Sequence, residues 1–310
     1  MTEPLPLPTP PVRSATLMRV ATFAAVGCAV TLVGLKGAAY AITNSVAMLS
    51  SLADSALDLL ASMVNLLAVR HALTPADEGH TFGHGKAEPL SALGQSAFIA
   101  GSAVLLVVES ASRFGEHAPV ERGDIGVAVM VFSMAVTLAL VTFQKFVARR
   151  TGSTAIGADA LHYTGDILMN LSVIVAIVLS TRLGVSWADP VFGIGIAVFL
   201  VFNAWRIASR ATGDLMDQEL PQADRERVIA IARQHPKVRN VHELRTRKSG
   251  VQTFIQMHLV LDNSLTLLQA HRISDDVEKA VMAEFPGADV IIHEDPDGIV
   301  EVHRPVGADL

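Results

Sequence analysis

Six runs of this chain, 16–38, 42–71, 89–113, 124–147, 157–182 and 188–211, are apolar and long. Each can cross a hydrocarbon core of about 30 Å, which takes about 20 helical residues. Inside a bilayer every backbone polar group must bond within its own segment, so runs like these fold as helices. A wholly soluble fold is thereby excluded. The chain is 51% hydrophobic and only 17% charged, which fits a membrane protein with a soluble portion. The start, MTEPLPLPTPPVRSATLMR, is proline-rich and lacks the small-residue cleavage pattern of a signal peptide. Residues 1–15 are expected to be disordered, and the first run to stay as an uncleaved span. Cys28 is the only cysteine and reads as packing, with no disulfide framework or thiolate cluster available. No nucleic-acid footprint, glycine-rich nucleotide loop, Walker lysine or kinase signature is present.

Basic residues near the span ends set the orientation. One side collects Arg13, Arg19, Arg70, Lys86, Lys145, Arg149, Arg150, Arg206 and Arg210, and the other Lys36, Arg113, Arg122 and Arg182. The excess on the first side puts both termini in the cytoplasm, as an even number of spans requires. Pro89 and the Asp189-Pro190 pair mark helix starts. Gly27, Gly34, Gly94, Gly101, Gly193 and Gly195 are expected to let helices approach closely.

From about residue 213 to 298 the pattern becomes soluble: helix, strand, strand, helix, strand. In the second strand Val251, Thr253, Ile255, Met257, Leu259 and Leu261 share one face, leaving Gln256 and His258 on the other. The fold class is therefore an α-helical membrane protein with six transmembrane helices over 16–212, followed by a small cytoplasmic α+β ferredoxin-like (metallochaperone-like) domain over 213–298 whose first strand is missing. Residues 299–310 form a tail.

Three constellations carry chemistry. The second and fifth spans are the least hydrophobic and hold ionisable residues one helical turn apart, Asp54 and Asp58 in one and His162 and Asp166 in the other. Charges at such depth need partners. Four nitrogen and oxygen ligands from two facing helices can form a tetrahedron around a divalent transition metal, and the imidazole favours zinc or ferrous iron over magnesium or manganese. A buried proton-sharing network without metal is the other reading. Asp159 lies near the cytoplasmic helix end, reads as a cap or an entry charge, and is left out of the site. The second constellation is Asp77, His80 and His84 in the loop DEGHTFGHGKAE, either a loose metal site or incidental surface histidines. The third is His242, His258, His271, His293 and Asp295, where strands could bring imidazoles and a carboxylate together around metal, or simply display surface histidines. His117 and His303 read as solvated.

DSALD, HYTGD, FGHGKAE, LRTRKSG, QMHLVLD, QAH and VIIHEDP, in this order, resemble the motifs of the cation diffusion facilitator family, above all its bacterial ferrous-iron and zinc efflux pumps. The resemblance covers roughly residues 15–298. It implies a homodimeric, proton-coupled metal exporter of the bacterial inner membrane, not an enzyme, with Zn2+ or Fe2+ as transported and structural ions and no nucleotide. The family's transport ligands fall on Asp54, Asp58, His162 and Asp166, its loop site on Asp77, His80 and His84, and its cytoplasmic binuclear site on His242, His258, His271, His293 and Asp295. It further implies a gate at Leu161 and a dimer-hinge salt bridge between Lys86 and Asp217. Glu294 departs from close relatives, which can carry a neutral residue there. The alternative is a membrane-anchored metal sensor that uses the cytoplasmic domain. An intramembrane metallohydrolase is disfavoured because no His-Glu-x-x-His pattern occurs.

Overall fold

The computed structural model describes residues 12–43, 46–112, 124–183 and 188–299. Arg113, Arg122, His117, His303 and the proline-rich start lie outside them. The chain divides into two compact units, one of helices ending at Met216 and one beginning at Asp217.

The first unit is α1 (Val12–Thr43), α2 (Val46–Ala72), α3 (Ala87–Ser112), α4 (Asp124–Thr151), α5 (Thr154–Leu183) and α6 (Ala188–Leu215). Five of the six are apolar and long enough to cross a membrane by length and composition. The sixth, α5, has 30 residues and carries most of the polar chemistry. Large apolar side chains such as Phe23, Leu105 and Trp205 are more than half exposed, an outer surface suited to lipid rather than water. Helix α1 packs on α2 and α4, α3 on α6, and α5 reaches α3, α4, α6 and, more sparingly, α2.

The start of α5 is fixed by local chemistry. Gly152, at φ 73°, ends α4 in the left-handed conformation that glycine takes without strain, and its N–H donates to the Ala148 carbonyl at 2.9 Å. Ser153 then caps α5, its Oγ accepting from the Ile156 N–H at 3.2 Å. The buried Glu88 of α3 stands at the same end, near the Ser153 hydroxyl and the Thr154 and Ala155 N–H groups. The helix therefore starts at Thr154, three residues before its expected beginning.

Of the glycines expected to bring helices together, only Gly193 does so within the described chain. A Cβ there would lie 2.0 Å from Ser110 Oγ of α3. Gly27, Gly34, Gly94, Gly101 and Gly195 have nothing within 4 Å of such a Cβ, because they face outward. Gly165 of α5, absent from the expected set, meets Leu200 of α6, with a Cβ placed 2.9 Å from Leu200 Cδ2.

The second unit is α7 (Gln222–Gln234), β1 (Asn240–Ser249), β2 (Gln252–Leu261), α8 (Leu267–Glu284) and β3 (Asp289–Pro296). The sheet order is β1-β2-β3, with β1 antiparallel and β3 parallel to β2. The parallel pair needs a crossover, and α8 supplies it. Thr266 and Gln269 form a capping box that starts α8 where the sequence places it. Ile255, Met257, Leu259 and Leu261 bury one face of β2 against Val228 and Ala232 of α7 and Ile273, Val277 and Val281 of α8. The opposite face of the sheet carries the histidines, together with Gln256, Phe254 and Ile291.

Candidate metal centre

Helices α2 and α5 bring Asp58, His162 and Asp166 together. His162 Nε2 lies 2.9 Å from Asp58 Oδ1, and one ligand atom from each residue falls within 4.8 Å of the others. The i, i+4 spacing of His162 and Asp166 puts both on one face of α5, and Asp58 meets them from α2. Asp166 Oδ2 is buried and has no hydrogen-bond partner among the described residues. An orphaned carboxylate oxygen beside an imidazole and a second carboxylate suits a borderline cation with nitrogen and oxygen ligands. The Phe98 ring meets the His162 ring edge-on at 5.5 Å, and Tyr163 shares a 2.8 Å hydrogen bond with Ser62. Both hold the α5 face in place.

Asp54 is not brought into this cluster. It is exposed on α2, one turn before Asp58. Leu161, next to His162, points elsewhere and packs against Ile99, Ala103, Ala197 and Leu200 of α3 and α6.

Asp159 corrects the sequence reading. It is not a helix cap, since α5 starts at Thr154 and Ser153 caps that start. It is 1% exposed, and its Oδ2 accepts a hydrogen bond from Gln144 Nε2 of α4 at 2.5 Å. Lys36 corrects it too. The α1 helix runs on to Thr43, seven residues beyond it, so this lysine lies well inside the helix rather than at a span end. Its Nζ donates to the Ser55 hydroxyl at 2.7 Å and to the Ser51 carbonyl at 3.2 Å. Together with Asp58, Asp166, Ser133, Thr137 and Asn170 it lines a cavity of about 30 Å³, space for a water or a partly dehydrated ion. The signal for Lys36 was present in the sequence, where the apolar GAAYAIT that follows it extends the span.

In the loop between α2 and α3, Asp77, His80 and His84 do meet. Asp77 Oδ1 accepts from the Gly79 and His80 N–H groups at 3.0 and 2.7 Å, an Asx-type turn. The His80 N–H is the chief cause that holds the Asp77 carboxyl below its usual range. His84 Nε2 lies 3.2 Å from Asp77 Oδ2 and 3.2 Å from His80 Nδ1. His84 is further seated by Thr74 Oγ1 at 3.0 Å and by the His71 ring at 4.4 Å. His71 was missed from sequence because it ends α2, outside the loop motif. Lys86 donates to the Leu215 carbonyl at 3.1 Å, while Asp217, at φ 57°, lies 3.3 Å from Arg247 Nη1.

In the second unit the sheet register aligns His242 with His258 and His258 with His293, one imidazole per strand in a row. Asp295, two residues on from His293, returns to the same face and collects all three rings. Its Oδ2 lies 2.9 Å from His258 Nδ1 and 3.0 Å from His242 Nε2, and its Oδ1 lies 3.3 Å from His293 Nε2. A β-bulge after His242 turns Glu243 into the left-handed region, at φ 46°, with its carboxylate 3.9 Å from His258 Nε2. His271 does not join the row: it is exposed on α8, 3.8 Å from Asp275. Glu294 accepts a hydrogen bond from Ser274 of α8 at 2.8 Å.

Two family models match the chain. The cation efflux transmembrane domain covers residues 22–216, and the cytoplasmic domain of cation efflux proteins covers residues 220–297. The cation-efflux pump FieF of Klebsiella pneumoniae is 45% identical over 289 residues, covering 92% of this chain and 94% of the pump. FieF of Salmonella paratyphi A is 44% identical over the same length. Among solved structures, CzrB in its zinc form is 33% identical over 27% of this chain and 98% of its own, with a TM-score of 0.26. Helical and sheet units alike thus match one kind of protein in the right order, and the chain belongs to the cation efflux, or cation diffusion facilitator, family of transporters.

Proposed function

We propose that this transporter exports divalent transition-metal cations from the cytoplasm in exchange for protons. Zinc and ferrous iron are its substrates, and cadmium fits the same ligands. The single observation that carries the reading is the cluster of Asp58, His162 and Asp166, whose ligand atoms converge within 4.8 Å between two helices of the membrane unit. Asp54 completes a tetrahedron when α2 turns its exposed face inward around a bound ion. The same ligands bind metal only when deprotonated, so metal and protons compete for one set of side chains. That competition couples the two flows. Leu161, packed between α3 and α6, gates the site as those helices slide past it.

Moving one positive charge outward against an inside-negative potential costs about 2.3 kcal/mol per 100 mV, so exchange of one divalent ion for two protons avoids electrical work. The protein sits in a bacterial inner membrane with both termini in the cytoplasm. It works as a homodimer in which Lys86 and Asp217 pair near the hinge. Metal on the histidine row stabilises contact between two acidic soluble units. His271, distant from the row of its own chain, joins that of a second copy. Asp77, His80 and His84 receive cations at the cytoplasmic side.

Zinc uptake into inverted vesicles, with and without an imposed pH gradient, tests the coupling. Uptake should rise severalfold with acid inside, and a flux indifferent to the gradient would rule out antiport.

A further inference from the structure

We propose that Lys36 places one fixed positive charge beside the transport site, so that the site holds its divalent cargo less tightly and releases it faster. The proposal rests on the reading of Asp54, Asp58, His162 and Asp166 as the transport ligands.

The placement is specific. Lys36 crosses from α1 to α2 and donates to two acceptors there, the Ser55 hydroxyl and the Ser51 carbonyl. Ser55 lies between Asp54 and Asp58 in sequence and is 1% exposed, so the ammonium is clamped against the ligand-bearing turn of α2. It shares the walls of one small cavity with Asp58 and Asp166. A charged lysine at this depth is costly, and what the site offers it is two hydrogen bonds and two carboxylates on the walls of the same cavity.

The consequence follows from charge. An ammonium has no lone pair and cannot ligate metal, so its influence on the cargo is repulsive. It weakens metal binding and hastens release, which a carrier needs and a storage site does not. A compact charge held by two hydrogen bonds does this without entering the coordination shell.

The test is zinc transport by the full-length protein in proteoliposomes, measured across zinc concentrations. Lys36→Gln keeps two N–H donors for Ser51 and Ser55 but removes the charge. It should lower the KM for zinc by about tenfold and lower kcat as release slows, given the strength of unit-charge interactions in a partly dry site. Lys36→Arg, which restores the charge, should return KM toward the wild-type value. Damage to packing alone lowers kcat without tightening KM. An unchanged or raised KM in Lys36→Gln therefore overturns the proposal, as does an Arg variant that binds as tightly as the Gln variant. If Lys36→Gln does not give a folded dimer, Lys36→Met is measured in its place with the same criterion. Asp58→Ala separates the two levels: zinc transport at the wild-type rate in that variant would remove the site itself, whereas its loss alongside wild-type KM in Lys36→Gln removes only the role of Lys36.

Discussion

The membrane cluster and the histidine row use the same ligand types in opposite ways. In the row, backbone register across three strands aligns the imidazoles, and one buried carboxylate already touches all of them. The membrane cluster is held by side chains from two helices that make few contacts with each other, with Asp54 outside it. Each cluster leaves one buried carboxylate oxygen unpartnered, Asp295 Oδ1 in the row and Asp166 Oδ2 in the membrane, but a set fixed by sheet register favours lasting occupancy, whereas one held across two sparsely packed helices can bind and let go. The largest effect expected from this contrast is on flux. Asp58→Ala or His162→Ala should lower zinc transport by more than about a hundredfold, because even outer-shell losses at metal sites cost 10–100-fold. Vesicle uptake measures it, and a folded variant that still transports would erase the distinction between the two sites.

The row should respond differently. Asp295→Ala removes the shared anchor of three rings, and about tenfold more zinc should then be needed to drive association of the full chain, read by sedimentation with zinc and with chelator. Transport should fall by a few-fold at most. An abolished flux would mean that the row lies on the transport path rather than beside it.

Much of this was legible in the sequence, for reasons that differ by region. Amphipathic alternation in β2 placed His258 opposite Ile255 and Met257, and β-sheet geometry preserves such parity over the whole strand. The i, i+4 pairs on α2 and α5 were equally plain. Helix rotation was not: Asp54 shares a helical stripe with Asp58 yet is exposed, because a stripe says which residues turn together but not how far. Lys36 was counted as a span-end charge since positive residues mark span ends in general, and only the packing of α1 on α2 places it beside Ser55. Asp159 was misjudged because α5 begins earlier than the apolar run suggests, at Thr154 with Ser153 as its cap, which leaves Asp159 inside the helix.

Packing offers a smaller test of the membrane unit. Gly193→Ala puts a methyl 2.0 Å from Ser110 Oγ, forcing α6 away from α3 where Leu161 also packs, whereas Gly195→Ala meets nothing within 4 Å. The first should cost about 1–3 kcal/mol, as overpacking does, and lower the thermal midpoint of detergent-solubilised protein by several degrees. The second should leave it unchanged or slightly raised, since alanine is the better helix former. Equal midpoints would deny the close α3–α6 approach.

The loop site gives the smallest and most local effect. Asp77 accepts N–H groups from His80 and Gly79, and these hold its carboxyl below the ordinary range. A carboxyl whose folded value lies below its unfolded one contributes stability that is present above the unfolded value, about 3.9, and is lost as pH falls through the lower folded value. The turn at Asp77 should therefore persist between pH 7 and 5 and open only below about pH 4. Asp77→Asn keeps the acceptor for both N–H groups while removing the charge. It should leave backbone exchange at Gly79 and His80 nearly unaltered and weaken loop metal binding several-fold. Exchange that rises as much in Asp77→Asn as in Asp77→Ala would show that the charge, rather than the acceptor oxygen, builds the turn.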